Sequence, residues 1–258
     1  MSLKAETRNL NTHITTVGLG ATRSKNILML GVFLALVAVL PIQANQITTA
    51  PGFGPYVIGD GGEFTVTPDA GLAGILGGYS SGVTRSIPGF PGSFQTFCAE
   101  RNEYITAGTT YDVTLNSVTV FSAKPLTIGA AYLYQQFATG LLLDYNFTDS
   151  PAGSRTGNNN APHGTAFELQ RALSYFMGEY SFDQYNIYMN GVVPLPVNPF
   201  GAYTGTQVSL MNLWAPGQPH DPAHAYQDLF VLTSVPEPST FALASLGAAA
   251  LLALRRKK

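Results

Sequence analysis

The chain has 258 residues with 13 Lys and Arg against 15 Asp and Glu, a formal net charge of −2. Charged residues make up only 11% of it, and a single cysteine excludes an internal disulfide. A chain this weakly charged carries no electrostatic footprint for nucleic acid.

The first apolar stretch is Ile27 to Leu40, preceded by Arg23 and Lys25 and followed by Pro41-Ile42-Gln43-Ala44. Cations, an apolar run of this length and a small-residue site predict a signal peptide over 1–44 with an extended n-region, cleaved after Ala44. A body of 45–234 remains, long enough for one domain with its own core. Five Lys and Arg against 13 Asp and Glu give that body a net charge of −8.

The body is rich in Gly, Pro, Tyr, Phe, Thr and Val. Residues 45–62 read as a surface lead-in, and Glu63 to Thr67 as a strand ending at Pro68. Residues 69–92 read as a loop with a short strand. Phe94 to Glu100 is the next strand, with Phe94, Thr96 and Cys98 on one face. Tyr111 to Leu115 alternates, and Asn116-Ser117 marks a bulge or turn. A helix follows over Thr127 to Gly140, its Gly129, Ala130 and Ala131 allowing close approach. A second begins at a capping box of Thr165 and Glu168 and stops at Gly178. Ala166, Leu169, Leu173, Phe176 and Met177 form its apolar stripe. Asp149 to Gly164 is a polar loop. Strands over Gln207 to Trp214 and Tyr226 to Leu232 complete an α+β domain: an antiparallel β-rich body with two packed helices.

The chain ends in Val235-Pro236-Glu237-Pro238-Ser239-Thr240, an uncharged run Phe241 to Leu254, and Arg255, Arg256, Lys257 and Lys258. As a helix, the run of about 14 residues spans about 21 Å, short of a ~30 Å hydrocarbon core. Its four cations would stay on the cytoplasmic side. Motif, apolar helix and basic end, in this order over 235–258, resemble the PEP-CTERM sorting signal of Gram-negative bacteria. The resemblance implies export across the inner membrane, transient insertion of the C-terminal transmembrane helix, and an exosortase as processing partner. It also implies a cell-surface or extracellular destination and a non-enzymatic binding or structural role in an exopolysaccharide or biofilm layer.

Cys98 has three readings: a small buried residue, a thiol paired with another chain, or a reactant toward a side chain other than cysteine. Gln170 bears on the third, because helical spacing puts its carboxamide on the apolar face, where an unpartnered amide costs ~1–3 kcal/mol. Thr96-Phe97-Cys98 and Leu169-Gln170-Arg171-Ala172-Leu173 resemble the paired motifs of thioester domains in bacterial surface adhesins. That resemblance implies that Cys98 is the sulfur nucleophile and Gln170 the acyl donor, giving a bond that attaches the protein covalently to an amine on a partner. Ser174 stands where the family carries an aromatic residue, and Ala99 where it carries a large one.

The remaining sites are weaker. His220 and His224 have helical ligand spacing, but Pro219 and Pro222 break a helix there, and no metal or other cofactor is expected. Glu100 and Glu103 read as solvated strand-end charges. Tyr56, Tyr79, Tyr185, Tyr188 and Tyr203 are aromatic residues able to stack on sugars.

Overall fold

The structure is a computed structural model describing residues 44–54, 56–58, 61–87, 90–147, 165–191 and 193–234. The signal-peptide segment, the 149–164 loop and the sorting tail lie outside the described residues.

Seven strands form one antiparallel sheet: β1 (Asn45–Thr49), β4 (Phe64–Pro68), β5 (Thr84–Ile87), β6 (Phe90–Thr96), β7 (Thr110–Asn116), β8 (Val208–Trp214) and β9 (Ala225–Leu232). Their spatial order is β5-β6-β4-β1-β7-β8-β9, and a two-stranded ribbon of β2 (Val57–Ile58) and β3 (Gly61–Gly62) stands apart. The sheet then closes on itself. Beyond the end of β6, Phe97 to Ala99 runs antiparallel to β9. Phe230 N–H donates to the Phe97 carbonyl at 3.1 Å, and Ala99 N–H to the Asp228 carbonyl at 2.8 Å. Closure covers the outer edge of β9, while β5 remains an edge strand paired with β6.

Alternation along the closing strands builds two cores. Phe94, Cys98, Met211, Leu213, Leu229 and Val231 point into the ring with Ile47, Val66 and Tyr111. The intervening Phe97, Val208, Leu210, Phe230 and Leu232 point out, under two helices. β8 and β9 are therefore buried on both faces, which is why they read as nearly continuous apolar runs.

Those helices are α2 (Ile128–Ala138) and α3 (Thr165–Phe176), preceded in the chain by a one-turn helix, α1 (Ala70–Ala73). Thr127 caps α2 by accepting the Ala130 N–H. Gly129 lets α2 approach α3, since a Cβ there would lie 2.8 Å from the Phe176 ring. The expected stripe of α3 is fully buried. Its end is a Schellman turn: Gly178 has φ +71°, its N–H donates to the Tyr175 carbonyl, and the Glu179 N–H to the Ser174 carbonyl.

Three expectations are corrected. Residues 45–62 are not all lead-in, because β1 lies mid-sheet between β4 and β7. The 69–92 stretch holds α1, β5 and the start of β6. Thr165 is the first residue of α3, and its hydroxyl accepts the Asn146 N–H rather than forming the near half of a capping box. Among the described residues no helix is long and apolar enough to cross a membrane; the expected C-terminal helix is not among them.

Candidate functional site

Closure of the ring positions Cys98. Its neighbours Phe97 and Ala99 spend their outward hydrogen bonds on β9. The Cys98 N–H and carbonyl face the other way, where no strand follows. The side chain of Gln170, one turn into α3, fills that place.

Gln170 Oε1 accepts the Cys98 N–H at 3.0 Å, and Gln170 Nε2 donates to the Cys98 carbonyl at 2.9 Å. A second donation from Nε2 reaches Ser174 Oγ at 3.2 Å, one helical turn on. The carboxamide thus acts as a strand peptide would, and every polar atom of it is satisfied. Cys98 is 5% exposed and Gln170 7%. Burial pushes the Cys98 thiol well above its ordinary pKa, opposed by hydrogen bonds from its own backbone and the Gln227 side chain, so the thiol is neutral at pH 7.

Both residues line a cavity of about 180 Å³ with Phe167, Ser174, Tyr180 and Gln227, and with three charged residues, Glu100, Arg101 and Arg171. Ser174 departs from the adhesin pattern but supplies the acceptor for the amide nitrogen, a role its sequence position did not suggest. The two residues singled out from sequence are brought together across 72 positions.

Glu100 belongs to a carboxyl pair that was not legible as one. Glu100, read as solvated, is 3% exposed. Its Oε1 accepts both the N–H and the hydroxyl of Ser122, each at 2.7 Å. Asp228 is fully buried, with Oδ2 accepting the Val120 N–H at 2.7 Å. Glu100 Oε2 and Asp228 Oδ1 receive no donor, and the two carboxyl groups are within hydrogen-bonding reach of each other. Burial first, and the neighbouring Glu100 carboxylate in lesser part, push Asp228 up to about 8.

The other candidates separate. His220 stacks on Trp214 at 5.1 Å, while His224 Nδ1 contacts Asp221 at 2.8 Å from a short 3₁₀ turn, Pro222–His224. Among the described residues no group of His, Cys, Asp and Glu is arranged to hold a metal. Tyr56 and Tyr188 are core residues, Tyr79 and Tyr203 pack against the cores, and Tyr185 is 81% exposed. The sorting residues Val235, Pro236, Glu237, Pro238, Ser239, Thr240, Arg255 and Arg256 lie outside the described residues.

Comparison with known families gives one match. Residues 234–257 match the PEP-CTERM protein-sorting motif. No curated protein and no solved structure matches the chain.

Proposed function

We propose, from the premise that the chain carries a PEP-CTERM sorting motif, that it is an exosortase-sorted surface protein whose body attaches covalently to a partner through Cys98 and Gln170. The motif implies export to the cell envelope of a Gram-negative bacterium and exosortase processing. What the body does there is the proposal.

The observation that carries it is the seating of the Gln170 carboxamide on the Cys98 backbone. In the reaction the Cys98 sulfur attacks Gln170 Cδ. The new S–C bond forms as the C–N bond breaks, and the thiol proton goes to the departing nitrogen, which leaves as ammonia. Atoms balance without an outside reagent. The Cys98 N–H already donates to Oε1, where negative charge gathers in the tetrahedral intermediate, so it serves as a preorganised oxyanion donor. The Cys98 carbonyl and Ser174 Oγ hold the two amide hydrogens and fix the leaving nitrogen. Because burial keeps the thiol neutral, its proton must leave as the sulfur attacks, and the departing nitrogen is the group that takes it. A nucleophile on the partner later opens the thioester, taking the Gln170 acyl group and returning the thiol. This is a single turnover in which the protein is itself a reactant, so it is not an enzyme.

A second reading, favoured by the solvent-facing ring of Tyr185, is a non-covalent binding or structural module of an extracellular polysaccharide layer. Thiol titration divides the two. A thioester protein shows no titratable thiol when denatured at neutral pH, and one after methylamine treatment. One thiol in the denatured, untreated protein would sink the covalent reading.

A further inference from the structure

The cavity at Cys98 adjoins a larger groove that the bond itself does not use. The groove encloses about 780 Å³, and Arg101, Arg171 and Tyr180 line both spaces. A ligand in the groove therefore lies next to the cavity lined by Cys98 and Gln170.

Sequence builds this groove locally. Arg171 follows Gln170 on α3. The Schellman turn at Gly178 then sends residues 179–185 back along the groove wall. The Tyr180 ring is held by two guanidinium groups, Arg171 at 4.7 Å and Arg101 at 4.9 Å from its centre. Arg171 is also paired with Asp183 at 2.9 Å. Arg101 is exposed and has no ion pair or hydrogen bond among the described residues. Phe182 and Tyr185 add rings that are 55% and 81% exposed.

Each part has a chemistry. Exposed ring faces take the flat C–H face of a sugar ring, and an unpaired guanidinium takes a carboxylate through two parallel hydrogen bonds. Asp183 with Arg171 offers an acceptor and a donor to hydroxyls. Two of the body's five cations stand here, in a body that is otherwise acidic. Glu179 and Asp183 also line the groove and Glu100 lines the cavity, but Asp183 is paired with Arg171 and Glu179 with Lys124, which leaves Arg101 as the cation free to meet a ligand anion.

We infer that the groove binds an acidic glycan, a polysaccharide whose rings carry carboxylates, and presents one of its hydroxyls at Gln170. The binding stands on the groove alone; the covalent step rests on the thioester reading above. In that step the hydroxyl oxygen attacks Gln170 Cδ, the C–S bond breaks, an ester C–O bond forms, and the hydroxyl proton passes to the Cys98 sulfur.

The test uses the full chain carrying Cys98→Ala, which binds without reacting. Its affinity is measured for a uronic-acid oligosaccharide and for the same oligosaccharide with its carboxylates reduced to alcohols. The acidic form is expected to bind at least about tenfold tighter, Arg101→Gln to remove most of that gain, and Tyr185→Ala to weaken both sugars alike. Equal binding of the two sugars, preference for a lysine-rich peptide, or indifference to Arg101→Gln would overturn the proposal. Adduct formation by the unsubstituted chain separates the two claims. Acidic-glycan binding by Cys98→Ala, with no adduct of any nucleophile on the unsubstituted chain, upholds the groove and refutes the thioester. An adduct with methylamine, with no glycan binding, does the reverse.

Discussion

Replacing Asp228 by asparagine removes a proton that the fold holds against water. In the native chain the carboxyl has a pKa of about 8, against an ordinary 3.8. The folded state thus binds one more proton than the unfolded state through the range between. Stability from this site is fully present below pH 4 and is lost as pH rises toward 8. The slope is about 1.4 kcal/mol per pH unit, so the protein loses roughly 3 kcal/mol between pH 5 and pH 7. The carboxamide of the Asp228→Asn variant would donate permanently to Glu100 and has nothing to titrate. Urea unfolding of both proteins at pH 5, 6 and 7 measures the difference. Glu103, raised by its own partial burial and by Glu100, and the other acids are shared by both, so their contributions largely cancel. With a denaturant slope of about 2 kcal/mol per molar, the gap between the two midpoints should widen by about 1–2 M from pH 5 to pH 7 in favour of Asp228→Asn. Parallel pH profiles would show that Asp228 is ionised in the fold and would refute the reasoning.

Gln170→Leu leaves the Cys98 N–H and carbonyl buried without partners and should cost about 2–5 kcal/mol by chemical denaturation. Cys98→Ala keeps both of those bonds, and its smaller loss, about 1–2 kcal/mol, is the comparison. Gly129→Ala should destabilise by about 1–3 kcal/mol, because the new methyl meets the Phe176 ring at 2.8 Å and the Pro199 carbonyl at 2.9 Å; an unchanged melting curve would mean that the two helices can separate freely. Glu237→Ala should leave the tail unprocessed in cells that hold an exosortase, read as a slower-migrating, membrane-retained chain.

The parts visible in the sequence are those whose signal is local. The apolar stripe of α3, the threonine cap of α2 and the alternation of β7 each follow from residues a turn or a pleat apart. β1 was hidden because its sequence, Asn-Gln-Ile-Thr-Thr, has one apolar residue. Its place comes from partners far along the chain: Gln46 donates to Asp112, and Thr49 Oγ1 to the Thr106 carbonyl. The burial of Glu100 was equally hidden, since only ring closure brings Asp228 beside it. The meeting of Cys98 and Gln170 was legible from motif and helix face together. Its detail was not, because the vacant hydrogen-bonding side of Cys98 exists only once Phe97 and Ala99 have paired with β9. The groove escaped notice because Arg101, Arg171 and Tyr185 carry no common spacing.

The most direct measurement of the central claim is the intact mass of the protein, purified without amines at neutral pH. A thioester between Cys98 and Gln170 makes the chain lighter than its calculated mass by one ammonia. The deficit should be absent from Cys98→Ala, and methylamine should turn it into an excess of one CH2 over the calculated mass, the N-methyl amide of Gln170 with a free thiol. The full calculated mass, with one thiol titrating on unfolding, would contradict the account and leave Gln170 as the hydrogen-bonding partner of a buried strand end.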